Sequence, residues 1–223
     1  MKRENEKKKW NYLYKEYINN DFKDWNQYYY VKMKLKKKFL KQVIKYYHDE
    51  KPVLECGCGT GKTTMFLSCF GIKTYAMDLE KEMVESARKR FKKYKCKCKV
   101  IQGDINNIPF KDKFFSVTHS SGVLEHYSDS EIVNMINEQL RVSDYCVFSV
   151  PTSYFEKKML GNERFLSRKQ WRKIISKSNG KIIKETGYHY KTLKNRIIDI
   201  IKKPKRLFKP IAMFTFVLKE KED

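Results

Sequence analysis

Apolar positions recur along this chain with two periods, and the two alternate. From Tyr28 to Tyr47, Val31, Leu35, Phe39, Leu40, Val43, Ile44 and Tyr47 follow helical spacing, while lysines at 34, 36, 37, 38, 41 and 45 take the remaining faces. That pattern predicts an amphipathic helix with a wet, basic side. Leu13 and Tyr17 suggest another helix within residues 1–24. After Lys51-Pro52 short apolar runs replace the long periodic segment. Strands are predicted at 53–56, 73–77, around Val100-Ile101, 114–119, 144–150, 181–188 and 211–218. Helices over about 62–70, 80–93, 129–140 and 167–178 fall between them, the first closed by Gly71 as a helix-ending glycine. Strands alternating with helices in this way imply a parallel, doubly wound α/β sheet. No internal repeat and no Pro/Gly/Ser-rich linker interrupts the pattern. Residues 49–223 therefore read as one globular unit, with 1–48 as an N-terminal helical cap.

The first strand carries the chain's most informative stretch, Val53-Leu54-Glu55-Cys56-Gly57-Cys58-Gly59-Thr60-Gly61-Lys62. A strand that ends in a carboxylate, turns through three glycines and enters a helix lets a ligand approach bare backbone at a helix N-terminus. The spacing decides between ligands. A dinucleotide fingerprint, G-x-G-x-x-G, needs glycine where Lys62 stands, and a phosphate-binding P-loop needs one residue more between Gly57 and Lys62. What stands here is E-x-G-x-G-x-G.

Glu55 to Gly61 resembles motif I of the class I S-adenosylmethionine (SAM)-dependent methyltransferases, and the likeness continues downstream. Asn107 to Val117 is similar to the segment that precedes and enters strand four in small-molecule members, with Ser116 where that family usually has Asp. Ser120-Ser121-Gly122-Val123-Leu124-Glu125-His126-Tyr127 resembles the segment after that strand. The resemblance covers about residues 50–150, and it implies a Rossmann-like seven-stranded sheet whose last strand is antiparallel, with SAM as cofactor.

Ligands of such sheets bind at the carboxyl ends of the strands. Those ends are Glu55, Asp78, Asp104 and the Ser120-Ser121 corner, and three carboxylates there are hard to explain by packing. The resemblance gives each a role. Asp78 accepts hydrogen bonds from the ribose hydroxyls, and Leu79 packs on the adenine. Asp104 accepts from the adenine amino group, beside Ile105. Glu55 lies beneath the Gly57, Gly59 and Gly61 turn near the methionine ammonium, and Ser120 borders the cofactor.

The acceptor side is less strongly marked. His126 is a candidate general base, since an ordinary imidazole pKa suits proton transfer near neutrality; its alternative role is to order the corner. An E-x-x-E-H cation site of the ubiquinone type lacks its first acid, which is Gly122 here, so no metal is expected. His119-Ser120-Ser121-Gly122 also lacks the [DN]-P-P-[FYW] of amino-methylating DNA enzymes. The pairs Cys56/Cys58 and Cys96/Cys98 have the wrong spacing for zinc and read as reduced structural thiols. Additions to the sheet build the acceptor pocket in this fold. Tyr28 and Tyr154, with Trp25, Tyr29, Tyr30 and Phe155, are the lid and substrate candidates.

Charge changes the picture only at the edges. The net charge of +23 divides into +7 over residues 1–50, +3 over 51–150 and +13 over 151–223. A nucleic-acid surface is one reading, and an RNA methyltransferase would suit it; the reading adopted is a solvated basic surface around a small-molecule acceptor site. Six cysteines without an apolar leader, and no run long enough to span a bilayer, place the chain in the cytoplasm.

Overall fold

The computed structural model describes residues 36–152, 161–188 and 212–222. The expected helix within 1–24, the start of the 28–47 helix, and the lid candidates Trp25, Tyr28, Tyr29, Tyr30, Tyr154 and Phe155 lie outside them.

The described chain runs α1 (Lys37–Tyr46), β1 (Val53–Cys56), α2 (Lys62–Ser68), β2 (Thr74–Asp78), α3 (Lys81–Lys93), β3 (Lys99–Gln102) and β4 (Phe115–Ser121). A single 3-10 turn at Leu124–His126 leads into α4 (Asp129–Val142), β5 (Ser143–Pro151), α5 (Arg168–Ile175), β6 (Gly180–Tyr188) and β7 (Met213–Glu220). The seven strands form one sheet in the order β3-β2-β1-β4-β5-β7-β6. All pairs from β3 to β5 are parallel, while β7 runs antiparallel between β5 and β6. The chain first moves outward from β1 to β3 and then crosses back to β4. The crevice between β1 and β4 is therefore a topological switch point, where such sheets open for a ligand.

Side-chain alternation divides the core in two. Val53, Val117, Val147 and Val217 face Phe39, Leu40 and Val43 of α1 and Phe66 and Leu67 of α2. Ala76 meets Met65 of α2 and Ala87 and Phe91 of α3 on the same side. On the other side Leu54, Met77, Phe148 and Phe216 pack on α4 and on Trp171, Ile174 and Ile175 of α5. Both helices of that second layer begin with a capping box, Ser128 with Glu131 and Ser167 with Gln170, which satisfies N–H groups that would otherwise be orphaned.

Differences from the predicted elements occur at their ends. α2 stops at Ser68, not at 70, because Ser68 Oγ and Cys69 Sγ both donate to the Met65 carbonyl and use up the last turn; Gly71 follows with φ +77°. α5 stops at Ile175, where Ser178 Oγ accepts from Gly180 N–H and turns the chain into β6. β7 extends to Glu220, beyond the predicted 218, because it pairs with Gly180 at the start of β6.

Candidate functional site

The glycine turn after β1 is fixed from below and from the side. Gly57 and Cys58 N–H both donate to the Met77 carbonyl, at 2.9 and 3.0 Å, so the turn sits on the end of β2. Gly57, Gly59 and Gly61 have φ of +69°, +54° and +72°, a left-handed region that side-chain-bearing residues enter only at a cost. A Cβ at Gly57 would stand 2.5 Å from Val123 Cγ2, and one at Gly61 2.7 Å from Phe91 Cζ, whereas one at Gly59 would meet nothing within 4 Å. Gly59 is thus the open point of the turn, while Gly61 serves the packing of α2 on α3. The buried Arg90 of α3 braces the same turn, its Nε donating to the Thr60 carbonyl at 3.0 Å.

Glu55, beneath the turn, accepts through Oε2 from the Thr64 N–H at 2.8 Å and from the Thr64 hydroxyl. Burial raises its carboxyl pKa and these hydrogen bonds oppose the rise. Asp78 at the end of β2 is 6% exposed. Its Oδ2 accepts from Gly59 N–H at 2.7 Å and its Oδ1 from Glu80 N–H at 3.1 Å, so the carboxylate that faces the cleft also holds the turn in shape. Burial raises its pKa as well, against those backbone hydrogen bonds. Asp104 is exposed and turns its own loop, Oδ1 accepting from Asn106 N–H at 2.8 Å. Leu79 is 51% exposed at the wall of the cleft.

These groups surround a cleft of about 710 Å³, bordered on the other side by Lys36, Gly122, Val123, His126 and Tyr127. Glu55, Gly57, Gly59, Asp78, Leu79, Asp104, Ile105 and His126 are all in its wall. Gly61 and Ser120 lie outside that wall. Gly61 is the N-cap of α2, turned to Phe91. Ser120 is buried on β4, one residue before the wall residue Ser121, and the strand's alternation sends the two side chains to opposite faces. Lys36, Val123 and Tyr127 are wall residues that sequence reasoning passed over.

The corner after β4 is held by the segment that follows residue 160. Asn162 Oδ1 lies 2.8 Å from His126 Nδ1, a geometry that suits an Nδ1–H donating to the amide oxygen. Arg164 N–H donates to the Glu125 carbonyl, and its guanidinium to the Tyr127 carbonyl at 2.6 Å. Glu125 itself is buried with Oε2 unpartnered; burial, with a smaller contribution from the Glu163 charge, pushes its carboxyl up to about 8. On β4, His119 is buried with neither ring nitrogen hydrogen-bonded, and burial pushes it down to about 3. Among the described residues no three His, Cys, Asp or Glu side chains converge as a metal site. All six cysteines are free thiols, and Cys56 and Cys58 are buried with raised pKa.

Residues 53–144, the span that contains the turn and every one of the strand-end acids, match the methyltransferase-domain family. These residues form a methyltransferase domain. Over 93 residues the chain is 31% identical to an uncharacterized methyltransferase, YodH, of Bacillus subtilis, covering 42% of this chain and 39% of that protein. Over 112 residues it is 35% identical to the mouse protein named probable tRNA methyltransferase 9B, covering 48% of this chain and 23% of that one. The matches thus span well under half of these relatives. Solved structures show the same fold across most of the chain. A SAM-dependent methyltransferase from Clostridium acetobutylicum superposes with a TM-score of 0.66 at 15% identity, over 96% of this chain and 99% of that one. Magnesium protoporphyrin IX methyltransferase from Synechocystis, with bound SAM, gives 0.62 at 14% identity, over 85% and 79%. No described helix of the methyltransferase domain is long and apolar enough to cross a membrane.

Proposed function

We propose that this protein transfers the methyl group of SAM to an oxygen or nitrogen atom of a small molecule, in the cytoplasm, where its six free thiols would stay reduced. The observation that carries the reading is the convergence of the glycine turn, Asp78 and Asp104 on one cleft at the β1–β4 switch point. The residues fit the cofactor. Gly59 offers backbone with open space above it, Asp78 and Asp104 are acceptors for hydroxyl and amino donors, and the exposed Leu79 offers an apolar face beside Ile105. Glu55 provides negative charge beneath the turn.

When bound, SAM supplies a methyl group already activated on a sulfonium sulfur. The chain then has to orient the acceptor, keep water away and receive a proton. His126 is assigned as the proton's receiver. With Nδ1–H donated to Asn162, its Nε2 can take the proton of an acceptor O–H or N–H. The acceptor is assigned to the side of the cleft formed by His126 and Tyr127.

A second reading, methylation of RNA, is favoured by the name of the mouse relative and by the +13 charge of residues 151–223. Transfer of labelled methyl from SAM to fractionated small metabolites and, separately, to total tRNA discriminates the two. Label in the metabolite fraction alone is expected; label in tRNA that persists near 150 mM salt would replace the first reading by the second. Titration with S-adenosylhomocysteine tests the shared premise. Asp78→Ala should weaken that ligand by roughly 1.5–3 kcal/mol, the worth of charge-assisted hydrogen bonds and of the turn they hold. Uptake of NAD with no heat from SAM would sink both readings.

A further inference from the structure

The three helices on one face of the sheet end together. α1, α2 and α3 lead into β1, β2 and β3, which are parallel neighbours. Their carboxyl ends therefore lie beside the amino ends of those strands, at the far end of the sheet from the glycine turn and the strand-end acids. Charge is divided in the same way. On α3 the acids Glu82 and Glu85 stand in the first half and the basic residues in the second. No acid occurs between Glu55 and Asp78 or between Glu85 and Asp104. Lys89, Lys92, Lys93, Lys95 and Lys97 are all exposed, while the intervening Cys96 and Cys98 pack on the core shared by α2 and α3. Among the described residues Lys89, Lys92, Lys95 and Lys97 have no ion pair. Lys73, at the start of β2, donates to the Asp49 carbonyl at 3.4 Å and so stands beside the exposed acids Asp49 and Glu50 that follow α1. The α2–α3 side is left uniformly basic.

The same end carries two exposed apolar side chains. Phe70, in the turn after α2, is 57% exposed, and Ile44, in the last turn of α1 beside Lys45, is 41% exposed. Cys98 Sγ donates to the Thr64 carbonyl of α2 at 4.0 Å, which lays the lysine stretch against the helix that ends in Phe70. A polyanion is the complement of such a surface, and two features choose its kind. Helices present carbonyl groups at their carboxyl ends, which repel a phosphate in close contact. Attraction here comes from long lysine side chains alone, which suits a diffuse negative surface better than a strand whose phosphates must be held one by one. An exposed isoleucine gives a nucleic acid neither a stacking face nor a hydrogen bond, whereas isoleucine and phenylalanine both gain by entering the boundary between headgroups and acyl chains. We propose that this end of the sheet docks the protein on an anionic phospholipid membrane, with Phe70 and Ile44 entering the interface and the lysines of residues 89–97 lying over the headgroups. The cleft, at the other end of the sheet, then faces water and stays open to a dissolved acceptor.

Co-sedimentation of the full chain with vesicles of phosphatidylcholine, alone or with about one-third phosphatidylserine, tests this. Uptake is expected on the anionic vesicles only, at about 0.1 M salt, and should fall steeply by about 0.5 M as screening shortens. Lys89→Gln, Lys92→Gln, Lys95→Gln and Lys97→Gln together should weaken uptake by about 100-fold or more, at roughly fivefold for each lysine near the surface. Arginine at the same four positions should retain it within about threefold. Phe70→Ser should weaken it by about 5- to 20-fold without changing the salt dependence. The control for bulk charge is the same change to Gln at four exposed lysines of and after α5, on the other face of the sheet: Lys169, Lys173, Lys177 and Lys181. It should cost no more than about threefold. Equal losses in the two quadruple variants, equal uptake on neutral and anionic vesicles, or no uptake on either would overturn the proposal. Retention of tRNA near 150 mM salt that is lost in the 89–97 variant, with no uptake on vesicles, would assign the same surface to RNA and overturn it as well. The wild-type comparison of the two vesicles needs no variant, so the proposal can fail before any substitution is made.

Discussion

His119 and Glu125 should give this protein two opposing pH dependences that hide one another. His119 is buried and pushed down to about 3, so it is neutral in the folded protein and titrates near 6.5 when unfolded. Its contribution is fully present above about pH 6.5 and is lost as pH falls, because the unfolded chain binds a proton that the folded one refuses. From pH 7 to pH 5 that loss amounts to about 2 kcal/mol. Glu125 behaves in the reverse sense. Its folded carboxyl is pushed up to about 8 against 4.5 ordinarily, so its contribution is full below about pH 4.5 and disappears as pH rises through 8. From pH 7 to pH 5 it returns about 2.5 kcal/mol. In the wild type the two nearly cancel across this window.

Neutral substitutions separate them. Glu125→Gln should make stability rise between pH 5 and pH 7 by about 2.5 kcal/mol more than it does in the wild type, and His119→Gln should make it fall by about 2 kcal/mol relative to wild type. Urea unfolding at pH 5, 6 and 7, followed by tryptophan fluorescence, reads these differences. At an m-value of about 2 kcal/mol/M each corresponds to roughly a 1 M displacement of the midpoint. The other buried acids, Glu55 and Asp78, are common to all three proteins and drop out of the comparison. Variant and wild-type stabilities that run parallel with pH would show that these groups are solvated or paired when folded, and the reasoning would fail.

Two further outcomes bear on the turn and the corner. Gly57→Ala should cost about 1–2 kcal/mol for a left-handed backbone and about 1–3 kcal/mol for its overlap with Val123. In a double-mutant cycle Val123→Ala should recover the second part only, and strictly additive losses would contradict the contact. His126→Ala, assayed once an acceptor is in hand, should lower kcat by about 10²–10⁴-fold while S-adenosylhomocysteine affinity stays within a few-fold. Loss of cofactor affinity to the same degree would make His126 a brace of the corner and not a base.

What could be read from the sequence was what local chemistry decides. β1, the three glycines and the acids at 78 and 104 were legible because each lies at a strand end whose neighbours in sequence are also its neighbours in space. Strand and helix ends drifted by one to three residues where side chains such as Ser68 and Ser178 captured the final carbonyls or amides. Lys36 was hidden by its company: it belongs to a run of lysines that all look like a wet helix face, and only the docking of α1 on β4 decides which of them turns to the cleft. Ser120 and Ser121 could not be told apart without the phase of β4. Asn162 and Glu163 are 36 and 38 residues beyond His126 and Glu125, in a stretch with no periodic signal, so nothing in the sequence ties them to that corner.

The unpartnered groups of β4 and of the turn after it have a physical logic of their own. His119, Ser120 Oγ and Glu125 Oε2 are buried without hydrogen bonds among the described residues, and leaving such groups unsatisfied costs about 1–3 kcal/mol each. Stability alone would favour apolar residues of the same size there. Their environment keeps two of them uncharged at neutral pH, His119 as imidazole and Glu125 as the acid. Neither can then screen the charges that the cleft wall presents at this end, which are Glu55 beneath the turn and Lys36 across from it.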